Sequence, residues 1–262
     1  MGIPIKTAEE IEIMKKGGRR LAWVMREVLR RIEPGVRLRE LEQLAGALIK
    51  KQRGRASFKM VDGYHWSTCL NVNQGVVHGV PGDYHLKKGD LVSLDMGMFY
   101  QGLHTDMART LQVGNLKSER RNSKDKFLEA GKRALEAAIE AAKPGNRVGH
   151  ISAAIEKEIK KAGFSPIEAL TGHGVGKKLH EEPPIPCFLK GKIKETPELR
   201  PGMTLAIEII YAQGDPEVIL KDDGWTVETA DGQLAGLFEE TVAVTKEKPL
   251  VLTWCPMVEF SL

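Results

Sequence analysis

The chain repeats one plan, in which two amphipathic helices joined by a Pro-Gly turn are followed by short strands. Pro34-Gly35 and Pro144-Gly145 mark the two turns, and 144 minus 34 gives an offset of 110 residues. Asp95 corresponds to Glu208 at almost the same spacing, since 208 minus 95 gives an offset of 113 residues. Both acids lie inside short apolar segments that are predicted to be strands. Internal self-similarity of this kind restricts the fold more than any single motif does.

This repeat predicts an α+β fold with two pseudo-symmetric halves, about residues 1–115 and 125–245. Each half should form a curved antiparallel sheet, with the two sheets facing each other and the helices covering the outside. We expect residues 1–262 to be a single domain without an extra amino-terminal domain. Chance similarity between helix-Pro-Gly-helix pieces is the alternative explanation.

Five residues with metal-binding side chains stand in apolar or glycine-bearing stretches, where a solvated charge does not belong. A buried carboxylate is costly unless it is paired, hydrogen-bonded or bound to a metal. Four carboxylates and one imidazole suit hard-to-borderline divalent cations and are enough for two ions. The five candidate ligands are Asp95, Asp106, His173, Glu208 and Glu239.

Asp95 and Asp106 lie on two predicted strands joined by a turn near Gly97–Gly102. A hairpin there would bring both acids side by side, and like charges at that separation require a cation. The alternative is structural, with Asp106 capping a turn and Asp95 closing a strand.

Three histidines and two aromatic residues are further candidates for a cavity. His173 lies among glycines that leave room for an ion and a substrate backbone, and His180 follows it. His78 ends an apolar strand and could face the same cavity, as could Tyr64 and Trp225. Each has a structural alternative. His173 could be a satisfied core or surface group, His180 a surface turn residue and His78 a structural residue, and the aromatic residues could be part of the core.

Composition excludes several classes of protein. A net charge of +4 is too small to indicate nucleic-acid binding by itself, and the three distant cysteines favour neither a disulfide framework nor a zinc finger. There is no membrane-spanning run, signal peptide, P-loop, Gly-x-Ser-x-Gly or His-Glu-x-x-His motif. We therefore expect a cytoplasmic protein without membrane or specific nucleic-acid partners.

With these motifs in order, the chain resembles the type I methionine aminopeptidases, which have the pita-bread fold of M24-like metallopeptidases. The resemblance covers nearly the whole chain. It is carried by Ser93-Leu94-Asp95, His104-Thr105-Asp106, Gly172–Gly176, His180-Glu181-Glu182-Pro183, Ile207-Glu208, Asp223-Gly224-Trp225-Thr226 and Glu239.

The resemblance implies a role for each matched residue. Asp95 would chelate one metal ion, Asp106 and Glu239 would bridge two, and His173 and Glu208 would complete the second. His78 and His180 would contact the substrate near the scissile peptide, Glu208 would shuttle a proton, and Cys69, Tyr64 and Trp225 would receive the methionine side chain.

The implied activity is removal of the amino-terminal methionine from peptides and nascent proteins by two-metal activation of a bridging water. The ions would be cobalt, manganese, iron or zinc, and the enzyme would be a monomer that can associate transiently with the ribosome. The alternatives are an X-Pro dipeptidase or aminopeptidase of the same fold and a non-catalytic peptide-binding protein. A basic RNA-associated protein is a third, supported only by the small positive charge.

The chain departs from the family pattern at four positions near the predicted site. Thr105 stands where glycine is common, Leu179 where an aromatic residue is frequent, Ile209 where proline is usual and Glu240 where histidine is typical. None of these removes a predicted ligand. The tail Trp254–Leu262 matches no motif, and we expect it to pack on the surface.

Overall fold

The fold was analysed in a computed structural model that describes residues 2–114 and 123–254. Residues 255–262, with Cys255 and most of the tail considered above, lie outside the described part. Four long helices are α1 Ala8–Leu29, α2 Leu38–Lys51, α3 Ser123–Ala141 and α4 Val148–Lys161.

Helix α1 begins where the sequence contains a capping box. The Thr7 side chain accepts a hydrogen bond from the Glu10 amide at 3.2 Å, and the Glu10 carboxylate accepts one from the Thr7 amide at 2.9 Å. Two of the amide groups left free at a helix start are thereby satisfied.

Thirteen strands lie within residues 2–114 and 123–254. They are β1 Arg55–Ala56, β2 Thr68–Val72, β3 Gly75–Val77, β4 Leu91–Tyr100, β5 Leu103–Gln112, β6 Ser165–Pro166, β7 Thr171–Gly174, β8 Glu181–Pro186, β9 Thr204–Ala212, β10 Val218–Leu220, β11 Val227–Thr229, β12 Ala235–Ala243 and β13 Leu250–Val251.

Ten of these strands form one antiparallel sheet. Its main path runs β1-β4-β5-β12-β9-β7-β8, with β2 paired to β4, β6 to β9 and β13 to β12, while β10-β11-β3 form a small second sheet. The α+β class is confirmed. The sheets expected from the two halves are joined into one, because β5 of the first half pairs with β12 of the second half.

The repeat is also visible in the helices and turns. Helices α2 and α4 each have 14 residues, and 148 minus 38 gives the offset of 110 read from the sequence. Gly35 and Gly145 take φ values of 93° and 83°, a conformation that favours glycine. This correspondence supports our proposal that the domain is built from two related halves.

The helices cover one face of the large sheet. Helix α1 packs on β4 and β5, and helix α3 packs on β9 and β12. At Gly131 of α3, the absence of a side chain lets Phe238 and Tyr211 approach closely, and the Tyr211 hydroxyl donates to the Phe127 carbonyl at 2.7 Å. Side chains on the other face of the sheet are thus left free to line a cavity. Within the described ranges, no helix combines the length and apolar character needed to cross a membrane.

We predict that Gly18→Ala destabilises the protein. An added Cβ would lie 2.3 Å from the carbonyl oxygen of Leu252, a backbone atom that cannot swing away. We expect the free energy of unfolding to fall by about 1–3 kcal/mol, despite the better helix propensity of alanine. Urea denaturation measures the free energy of unfolding.

Gly82→Ala is the control, because no described atom lies within 4 Å of its added Cβ. Equal stability of the two variants would contradict the prediction.

Candidate metal centre

A single row of paired residues across the large sheet brings three predicted ligands together. Cys69 on β2 pairs with Asp95 on β4, Asp95 with Ala108 on β5, Ala108 with Glu239 on β12, and Glu239 with Glu208 on β9. Residues directly opposite each other project from the same face. The small side chain of Ala108 therefore leaves space between the acids on either side.

The other two predicted ligands lie on the same face, because side chains two residues apart on a strand point to the same side of the sheet. Asp106 lies two residues before Ala108, and His173 pairs with Ala206, two residues before Glu208. One donor atom from each of Asp106, His173 and Glu239 lies within 4.8 Å of the others. These three side chains could hold one ion among them.

The imidazole of His173 is oriented for ligation. Its Nδ1 lies 2.8 Å from the carbonyl oxygen of Gly174, which can only accept, so Nδ1 carries the proton. Its Nε2 lies 3.6 Å from Glu208 Oε1 and keeps its lone pair. Burial lowers the pKa of His173 to about 4, so the ring is neutral at physiological pH, as a metal ligand must be.

The four carboxylates crowd together on this face. Burial raises the pKa of Asp106 to about 7. Burial also raises the pKa of Asp95, Glu208 and Glu239 well above the usual range, and the charge of Asp106 adds to the rise at each. Both effects destabilise the ionised forms.

Two carboxylate oxygens at this site have no protein partner. Asp95 Oδ1 and Glu239 Oε1 are buried and make no hydrogen bond to any residue that the structure describes. Such groups are costly unless something else coordinates them. Oxygen-rich donors with one imidazole fit hard-to-borderline divalent cations, so the residues present suit the group that the sequence implied.

A cavity of about 130 Å³ lies over this face. Its lining contains every candidate named from the sequence, namely Asp95, Asp106, His173, Glu208, Glu239, His78, His180, Cys69, Tyr64 and Trp225. Metal-binding, histidine and aromatic candidates are thus brought to one place, although they come from positions far apart in the chain.

The histidines His78 and His180 are at the accessible mouth of the cavity. The rings of His173 and His180 lie 4.5 Å apart, nearly perpendicular. His78 takes a φ of 56° directly after β3, a left-handed conformation that is uncommon for residues other than glycine, although histidine adopts it more often than most. Backbone strain of this kind is often found at functional sites, where the surrounding structure holds it.

One wall of the cavity is aromatic and apolar. The Tyr64 ring packs edge-on against Trp225 with 5.1 Å between centroids, and its hydroxyl lies 3.2 Å from Cys69 Sγ. Asp223 holds the turn before Trp225 by accepting hydrogen bonds from the Trp225 and Thr226 amides at 2.9 and 2.8 Å. The wall can thus receive a flexible apolar side chain.

The structure adds four lining residues that the sequence analysis did not select, Phe58, Val61, Val77 and Leu179. Their apolar side chains resemble ordinary core residues, and only the position of Leu179 before His180 was a usable signal. Among the other departures, Thr105 is buried without a hydrogen bond for its hydroxyl, and Glu240 pairs with Arg109.

Comparison with known proteins gives consistent matches over the length of the chain. A sequence model of metallopeptidase family M24 matches residues 12–246. The methionine aminopeptidase of Clostridium perfringens is 39% identical over 251 residues, which are 96% of this chain and 98% of that protein. Methionine aminopeptidase 1 of Bacillus subtilis is 40% identical over 248 residues, 95% of this chain and 98% of its own length.

Solved structures show the same similarity. The crystal structure of methionine aminopeptidase from Thermotoga maritima superposes with a TM-score of 0.90 at 41% identity, covering 96% of this chain and 99% of that one. The prolidase of Pyrococcus furiosus gives a TM-score of 0.75 at 27% identity and is matched over 66% of its length. Both share the fold, which confirms the predicted pita-bread class, and the first matches over nearly its whole length.

We predict that the metal-free protein loses stability as the pH rises from 7 to 8. The four carboxyls have raised pKa values in the folded state, so the folded protein retains protons that the unfolded chain has released. Each such proton lowers the free energy of unfolding by about 1.4 kcal/mol per pH unit. Histidines such as His173, whose pKa is lowered on folding, oppose this trend only weakly above pH 7, because the unfolded imidazoles have by then released most of their protons.

Urea denaturation in EDTA at the two pH values measures this effect. Saturating Mn²⁺ should abolish it by holding the carboxylates ionised, and Asp95→Asn should reduce it. Equal stability at pH 7 and 8 in EDTA would contradict the prediction.

Proposed function

We propose that this chain, which belongs to metallopeptidase family M24, removes the amino-terminal methionine from peptides and nascent proteins. The observation that carries the proposal is full-length similarity to methionine aminopeptidases, combined with one cavity that contains both acids and an apolar wall. An exopeptidase of this kind needs the acids for hydrolysis and the apolar wall to receive the side chain of the first residue.

The metal ligands in this proposal are those of the sequence analysis. Asp95 would chelate one ion, Asp106 and Glu239 would bridge two, and His173 and Glu208 would complete the second. Support comes from the common face of these side chains and from the unpartnered oxygens of Asp95 and Glu239. Divalent ions held there supply Lewis acidity, which polarises a peptide carbonyl and makes water a stronger nucleophile near neutral pH.

The remaining chemistry belongs to side chains of the cavity. We assign to Glu208 the transfer of a proton from the attacking water to the departing amine, because its carboxylate lies on the site face next to His173. His78 and His180 at the mouth can donate hydrogen bonds to the carbonyl oxygen of the peptide. In the apolar wall, Tyr64, Cys69 and Trp225 would contact the flexible methionine side chain.

The family implies divalent metal ions, and we propose manganese, iron, cobalt or zinc. The availability of each ion in the cell decides which of them is bound. The proposed substrates are peptide and nascent-chain amino termini with methionine first. Transient contact with the ribosome, a cytoplasmic location and a monomeric state complete the proposal.

Two alternatives differ in their substrate or in their chemistry. An X-Pro peptidase of the same fold is less favoured, because the similarity to prolidase is lower in both identity and coverage. A non-catalytic peptide-binding protein is less favoured, because four crowded acids serve no purpose in peptide binding alone. Metal analysis of protein purified without chelator separates the second alternative from the proposal.

We predict that the metal-supplemented protein releases methionine from a Met-Ala-Ser peptide and leaves an Ala-Pro peptide intact. The protein would recognise its substrate by binding the side chain of the first residue against the apolar wall, and a proline at the second position would not be required. Chromatographic detection of free methionine measures the reaction, with EDTA-treated protein as the control. Cleavage of the Ala-Pro peptide alone would favour the X-Pro peptidase, and no cleavage by metal-loaded protein would favour the binding protein.

We predict that Asp106→Asn and Glu239→Gln each lower kcat/KM for the same peptide by at least about 100-fold. Each substitution removes one charged ligand that would be shared by two ions. The matched control is Glu12→Gln, since Glu12 is exposed on α1, where its side chain pairs with Lys15. Calorimetric titration with Mn²⁺ should show the loss of binding independently. Near-normal turnover in either ligand variant would count against a shared pair of ions.

A further inference from the structure

The two halves of the sheet meet along a seam formed by β5 and β12. Register across the seam pairs Glu239 with Ala108 and Glu240 with Met107. Asp106, on β5, and Glu239, on β12, are the two acids proposed to share both ions. Their relative position therefore depends on how these two strands are joined.

At one end of the seam, a threonine side chain on β12 makes the hydrogen bonds to the β5 backbone that a backbone group would otherwise make. The Thr241 hydroxyl on β12 accepts a hydrogen bond from the Asp106 amide at 2.8 Å and donates one to the Asp106 carbonyl oxygen at 2.8 Å. Both backbone groups of a proposed bridging ligand are thus held by one side chain. The Asp106 carboxylate also accepts from the Met107 amide at 3.1 Å.

The other end of the seam has the same arrangement with the strands exchanged. The Thr110 hydroxyl on β5 accepts from the Leu237 amide at 2.9 Å and donates to the Leu237 carbonyl oxygen at 2.8 Å. Since its one proton is thereby used, the Ser93 hydroxyl at 2.7 Å must be the donor to Thr110. This uses the full hydrogen-bonding capacity of the Thr110 hydroxyl, one donor and two acceptor positions.

The reverse face of the seam is closed by a buried arginine. The Arg109 guanidinium donates to the Ala108 carbonyl at 2.9 Å and to the Glu239 carbonyl at 2.7 Å. It also pairs with the Glu240 carboxylate, which accepts a hydrogen bond from the Thr253 hydroxyl. One rigid, planar group thus connects both strands at the residue that carries a proposed bridging carboxylate.

We propose that Thr241 and Thr110, supported by Arg109, are positioning residues that set the separation of Asp106 and Glu239, and hence the affinity for the second of two shared ions. The inference rests on the proposed function, since it takes both acids as metal ligands. The hydroxyls touch neither ion nor substrate. They act on the backbone, where a small shift in strand spacing would move carboxylates that must meet the same ions.

The experiment replaces one hydroxyl while keeping the shape of the side chain. Thr241→Val leaves the Asp106 amide and carbonyl without that partner, whereas Thr241→Ser keeps the hydroxyl. Thr105→Val is the matched control, because Thr105 is a buried threonine on β5 whose hydroxyl makes no hydrogen bond. Mn²⁺ is the probe, since calorimetry gives its affinity and electron paramagnetic resonance shows whether two bound ions are magnetically coupled.

We expect Thr241→Val to bind the second Mn²⁺ about 10- to 100-fold more weakly and to lose the coupled signal. Thr241→Ser should restore both, and Thr105→Val should behave as the unchanged chain does. Circular dichroism in EDTA checks that each variant is folded. If Thr241→Val does not fold, Thr110→Val tests the other end of the seam with the same expected loss.

Three outcomes would overturn the inference. Coupled, tight binding of two ions by a folded Thr241→Val or Thr110→Val would overturn it and leave the proposed function intact. An equal loss in Thr105→Val would show that any buried polar-to-apolar change weakens the site. Failure of the unchanged chain to bind Mn²⁺ would overturn both the inference and the metal site on which it rests.

Discussion

Mutual repulsion among four carboxylates on one face of a sheet is the interaction on which the site depends. In water these groups would separate, but β4, β5, β12 and β9 hold them in adjacent strands. Burial and the charge of Asp106 both oppose ionisation of the other three acids. Either protonation or cations between the acids would relieve this cost without moving the strands, and of the two only cations leave all four groups ionised, as the proposed metal site requires.

Sequence reasoning could reach much of this arrangement because the relevant signals are local and periodic. The Pro-Gly turns and the apolar spacing predicted α2 and α4, which share the offset of 110 residues. The carboxylates Asp95 and Glu208 stood out because each interrupts an apolar strand. What the sequence could not reveal was the pairing of β5 with β12, because strand order is set by contacts between distant segments. The roles of Thr241 and Thr110 were hidden for the same reason, since a threonine in a strand is an ordinary residue.

The same scaffold serves related enzymes, so the fold does not by itself define the substrate. Prolidase from Pyrococcus furiosus shares it at a TM-score of 0.75. Specificity in this chain must therefore come from the walls of the cavity. Tyr64, Trp225 and Phe58 form a cluster of edge-to-face rings beside the acids, and Leu179 closes its apolar side. Such a wall offers dispersion contacts to a flexible apolar side chain.

Two adjacent glutamates show how one strand separates the functional and structural faces. Glu240 is buried on the helix side, where Arg109 and Thr253 satisfy its carboxylate. Glu239 is buried to a similar extent on the cavity side, yet its Oε1 has no hydrogen-bond partner. Since a shift of register by one residue would exchange the two faces, the backbone contacts that fix β12 against β5 decide which glutamate is compensated by protein and which faces the cavity as a proposed metal ligand. The charge of the site is thus a consequence of strand register as much as of residue type.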